Sequence, residues 1–127
     1  MSFRTPLSTA RGLGSAKHGV GHWISERVGA VALIPLVLWG AYSVILLARM
    51  DYYEAVEWIR SPVNATLMIL TLAISFMHMQ SGLRVVIEDY VYSHLNKAAA
   101  LLANLFVSGL AGALAIMSIL KVALGGG

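Results

Sequence analysis

The chain has no cysteine. Disulfides, thiolate-held zinc and self-ligated iron–sulfur clusters are therefore excluded, and any redox chemistry must use other ligands. Charge is also scarce: Asp, Glu, Lys and Arg make up 12% of the 127 residues, against 58% hydrophobic side chains and a mean hydropathy of +0.76. A soluble domain carries about 25% charged residues, so the composition reads as one small membrane domain. Three windows, 28–48, 61–83 and 98–120, hold no charged residue at all. Each is long enough to cross a hydrocarbon core as a helix, which takes roughly 20 residues. The windows lack period-two alternation, and lipid admits only helices or closed barrels, so helices are expected.

The fold class that follows is all-α transmembrane, with three membrane-spanning helices in a single domain. The expected divisions are a tail over 1–21, helix I over 22–50, an interfacial link over 51–60, helix II over 61–94 and helix III over 96–123. Pro35 inside helix I predicts a kink rather than a break. Ser61 and Pro62 predict an N-cap and a first helical position. Nothing of helix-breaking type stands between Arg84 and Tyr92, so helix II is expected to run on past its uncharged window to about His94. Ser108 and Gly112 on helix III, at four-residue spacing, are expected to be close-packing positions.

The net charge of +3 does not indicate nucleic acid, because the basic residues are scattered at window ends instead of gathered on one face. They serve as topology signals. With the N-terminus in the cytoplasm, Arg4, Arg11, Lys17, Arg27, Arg84 and Lys97 lie inside and Arg49, Arg60 and Lys121 outside. That excess predicts a cytoplasmic N-terminus and a periplasmic C-terminus. The segment 1–21 has no acidic residue and resembles a transit peptide in composition, but is read as a basic cytoplasmic tail. A bacterial inner membrane is the expected location, with the mitochondrial inner membrane as the alternative.

Of the histidines, His18 and His22 precede the first window, His94 follows the second, and His78 alone lies within one. An ionisable side chain at membrane depth is costly, and marks either a functional site or a hydrogen bond to a neighbouring helix. Helical spacing favours function. At about 100° per residue, Gly82 lies about 40° round from His78 and Asp89 about 20°, so the three share one face. A glycine one turn from a histidine leaves room for something flat and bulky, and haem with an axial imidazole fits. A second axial ligand would have to come from a partner. Arg27 falls about 9 Å in depth from His78 on the antiparallel helix I, where a guanidinium could pair with a haem propionate, and His22 lies one turn further out. Asp89 and Tyr90, about 16 to 18 Å along the axis from His78, reach the interface, where a tyrosine hydroxyl could meet a quinone carbonyl.

The pattern His78, Gly82, then Asp89-Tyr90-Val91 in the middle helix of three resembles the small membrane-anchor subunit of succinate dehydrogenase, respiratory complex II. The likeness extends over nearly the whole chain in length, helix count and orientation. It implies one half of a heterodimeric anchor bundle that docks the flavoprotein and iron–sulfur subunits and shares haem b with a larger cytochrome b anchor subunit. It also implies a part in ubiquinone reduction, linking the tricarboxylic acid cycle to electron transport. The resemblance makes His78 the haem axial ligand, Tyr90 and Asp89 quinone-site residues, and Arg27, His22 and Gly82 the haem environment. This chain would hold no succinate site. An anchor of a quinol:fumarate reductase and a purely structural membrane protein are the alternatives. A proton-coupled carrier is disfavoured because all six acids lie outside the uncharged windows.

Overall fold

The computed structural model describes residues 5–14 and 19–125, and within them every regular element is helical. In chain order these are α1 (Pro6–Arg11), α2 (Gly19–Leu47), α3 (Tyr52–Arg60), α4 (Pro62–Tyr90) and α5 (His94–Ala123). Helices α2, α4 and α5 are long and apolar enough to cross a membrane. At 1.5 Å per residue, each spans about 44 Å, so all three have length to spare beyond the hydrocarbon. Residue His18 of the sequence reading lies outside the described residues.

Local chemistry accounts for most of the ends. In α3, Asp51 accepts the Glu54 N–H at 2.8 Å while the Glu54 carboxylate accepts the Asp51 N–H at 3.0 Å, a reciprocal cap. The link expected over 51–60 is thus a defined helix. Ser61 alone separates α3 from α4, with Pro62 starting α4. Ser61 holds the N-cap position as expected, although its hydroxyl makes no capping bond; its carbonyl accepts the Ala65 N–H at 2.9 Å. Helix α2 is described from Gly19 and runs through Pro35 to Leu47.

The middle helix requires a correction. It ends at Tyr90 instead of continuing to His94, and His94 opens α5. Val91 is extended (φ −101°, ψ 107°), and the Lys97 ammonium reaches back to donate to the Glu88 carbonyl at 2.8 Å. The helix stops where Val91 turns extended, and a side chain from the following helix satisfies one of the carbonyls left open at the end of α4.

Helix α4 lies between α2 and α5 and packs antiparallel against both, while α3 packs across one end against α4 and α5. The packing is that of a protein facing lipid. Among the described residues Ala65 is the one buried hydrophobic side chain, whereas Ser43, Asn104, Ser108 and Gly112 are buried and many large Leu, Ile and Val side chains are exposed. Hydrocarbon solvates those side chains as well as a protein core would, so small residues and hydrogen bonds are left to hold the helices together. At Gly112, a Cβ would sit 3.2 Å from Cγ of Phe76, so α4 and α5 approach there as closely as glycine permits. Trp39 stacks on Trp58 with centroids 5.9 Å apart, and Asn64 donates to the Trp58 carbonyl at 3.0 Å, tying α3 to the bundle.

Candidate functional site

Antiparallel packing of α2 on α4 brings His78, Gly82 and Arg27 to one cleft of about 260 Å³, completed by Glu26, Ala30, Ser81 and Val85. Ser81, Gly82 and Val85 follow His78 at three, four and seven residues, the spacing of one helical face. A second cleft of about 250 Å³ lies beside it, lined by Ser25, Glu26, Val28, Gly29, Ala32, Ile74, Met77, His78 and Ser81. His78 therefore stands between two recesses of the α2–α4 seam, with its side chain exposed.

Nothing in the chain lies within 4 Å of where a Cβ would stand on Gly82. The space expected from the sequence is present, one turn from the imidazole and open to the outside. The Arg27 guanidinium borders the same cleft, its carbon 5.5 Å from the centroid of the Trp23 ring on its own helix. Such a contact steers a cation without neutralising it. His22 is not in the cleft lining; its Nδ1 lies 3.7 Å from the Glu26 carboxylate one turn along.

Among the described residues, no three His, Asp or Glu side chains converge to hold a bare metal ion. A metal at His78 would need its remaining ligands from an organic macrocycle and a partner. The donor set suits a haem: an exposed imidazole, open room one turn along, and a guanidinium on the same cleft for an anionic side group.

Asp89 and Tyr90 close α4, both exposed, with Tyr90 at 75%. They are not part of the His78 clefts. They sit instead in a charged collar, where the Arg84 Nε meets Glu88 at 2.8 Å and Lys97 caps the Glu88 carbonyl.

Two features of the site escaped the sequence reading. Glu26 borders both clefts; its position one turn from His22 and one residue before Arg27 was the available signal. Asn104, buried in α5, donates from Nδ2 to the Gln80 carbonyl at 2.9 Å and accepts from the Ser108 hydroxyl at 3.2 Å. An amide inside an uncharged window is the same kind of signal that singles out His78.

Residues 1–118 match the family model described as succinate dehydrogenase/fumarate reductase transmembrane subunit. The chain is 32% identical over 106 residues to the succinate dehydrogenase hydrophobic membrane anchor subunit of Rickettsia conorii, covering 82% of this chain and 84% of that one. It is 30% identical over 109 residues to the same subunit of Paracoccus denitrificans, covering 84% of this chain and 82% of the relative. No solved structure matches the chain.

Proposed function

The chain belongs to the family of succinate dehydrogenase/fumarate reductase transmembrane subunits, and from that premise we propose that it anchors a succinate:quinone oxidoreductase, ligates a haem b through His78 and contributes Tyr90 and Asp89 to the quinone site. The observation that carries the reading is the cleft that joins His78, the open space at Gly82 and Arg27.

Each residue has a definite task. His78 would hold the haem iron through an imidazole nitrogen. Gly82 leaves the neighbouring turn flat, and Arg27 pairs with a propionate. A bound haem b supplies a one-electron store between the clusters of the iron–sulfur subunit and the membrane. A further ligand would come from the larger cytochrome b anchor subunit, a role compatible with the exposed His78 side chain. At the end of α4, the Tyr90 hydroxyl donates to a quinone carbonyl and Asp89 shapes the surrounding polarity. Quinone takes two electrons, which originate at the flavoprotein, and two protons from the cytoplasmic side. In this reading the N-terminus is cytoplasmic, supported by the excess of basic residues on that side, and the collar of Arg84, Glu88 and Lys97 meets the soluble subunits.

The test is a dithionite-reduced minus oxidised absorption spectrum of the tagged chain, gently purified from its native membrane together with whatever accompanies it. A b-type band alongside flavin and iron–sulfur signals is expected. Flavin and clusters without haem would retain the anchor and remove His78 as a ligand; a colourless lone chain would remove both.

A further inference from the structure

The two recesses on either side of His78 share one side chain from α2, that of Glu26. Its side chain is 29% exposed, partly withdrawn from solvent at the seam where α2 meets α4. The companion groups are unequal in position. Arg27 borders one of the two recesses, and His22, 3.7 Å from the Glu26 carboxylate, borders neither and is 46% exposed. Glu26 and His78 therefore line both recesses together, and His22 lies outside them.

We propose that Glu26 is a potential-setting residue whose carboxylate holds the reduction potential of the haem ligated by His78 below the value the cleft would otherwise impose. The inference rests on the haem reading given above. When ferric haem takes up one electron to become ferrous, the charge at the iron falls by one, with no bond made or broken and no proton required. A fixed anion nearby stabilises the more positive, oxidised state. The interaction falls off as the inverse of distance and is stronger for a partly withdrawn group than for one fully in water. Arg27 acts in the opposite sense. Glu26 is thus the counterweight to the cation that the haem side group requires.

A structural explanation of Glu26 is weak on the same geometry. Its visible partner, His22, is on the same helix four residues away, and a part-exposed i,i+4 pair of that kind contributes little to folding. An isosteric exchange of carboxylate for amide should therefore leave the bundle intact and remove the charge alone.

The experiment compares the whole complex, purified from its native membrane, for the wild type, Glu26→Gln, Glu26→Asp and Glu26→Ala. The b-type band is followed during a mediator-linked redox titration in which dithionite supplies the electrons, and haem content is measured separately by extraction. Glu26→Gln should shift the midpoint to more positive potential, with band position and haem content unchanged. Glu26→Asp, which keeps the charge, should stay near the wild type. Coincident midpoints in wild type and Gln variant would overturn the proposal while leaving haem ligation standing, and equal shifts in the Gln and Asp variants would assign the effect to packing and overturn it as well. If Gln and Ala variants both fail to assemble while Asp assembles, the carboxylate is a structural tie and the proposal falls. A wild-type complex without any b-type band would instead remove the haem reading itself, and this inference with it.

Discussion

Asn104 of α5 donates a 2.9 Å hydrogen bond to the backbone carbonyl of Gln80 on α4, two residues from His78. Ser108 holds the amide in place from the next turn, and Lys97 makes a parallel contact two turns away by donating to the Glu88 carbonyl. Helix α5 thus grips the main chain of α4 at two heights, one on each side of the segment that carries Gly82 and Arg84. The imidazole-bearing face is left free for α2 and for a partner.

Replacing Asn104 by Leu removes the inner grip and leaves the Ser108 hydroxyl without its acceptor. Interhelical hydrogen bonds in membranes contribute about 0.6 to 2 kcal/mol. Thermal inactivation of the purified complex should shift to lower temperature by a corresponding few degrees, with a broadened haem signal at unchanged subunit composition. An unshifted inactivation profile would show that the contact bears no load.

At Gly112 a larger side chain meets Phe76, whose ring already lies 3.2 Å from the position of a Cβ. Gly112→Leu should separate α4 from α5 and destabilise the subunit by about 1 to 3 kcal/mol, the usual cost of overpacking. The yield of intact complex from membranes reports it. Gly109→Leu, at an open position on the same helix, is the control and should be tolerated.

Replacing His78 by Leu should abolish or strongly perturb the b-type haem spectrum. Complex that retains full haem content and an unaltered spectrum would exclude His78 as ligand. Flavin content and oxidation of succinate by a soluble dye are expected to survive wherever the complex still assembles.

Tyr90→Phe deletes one hydroxyl from an exposed side chain and should leave folding unchanged. Loss of a single hydrogen bond of about 1.5 kcal/mol corresponds to roughly a tenfold effect. Quinone reduction should slow by about that factor while dye-linked succinate oxidation stays at the wild-type rate. Equal rates with quinone would make Tyr90 an ordinary interfacial tyrosine.

The residues differ in how far they could be read in advance. His78 and Gly82 were legible because four residues is just over one helical turn, and a histidine among uncharged apolar residues is conspicuous. Arg27 needed the further step of pairing two antiparallel helices by depth, and the shared cleft fits that step. Glu26 and Asn104 were missed, since the importance of each comes from what a different helix places beside it. The end of α4 was misjudged for the same reason: no glycine or proline marks it, and the stop is completed by Lys97 from seven residues beyond.

Composition and the spacing of charges by themselves determined an all-helical chain with three apolar stretches long enough to cross a membrane, because lipid leaves the backbone no other economical way to satisfy its polar groups. Helical periodicity also put His78 and Gly82 on one face. Only the tertiary structure decided that Glu26 joins this face and Arg27 in a common seam and that α5 grips α4 through backbone carbonyls. Those relations depend on the rotation and height of one helix against another. Such variables are set by side-chain contacts between distant segments, and no local pattern in the chain encodes them.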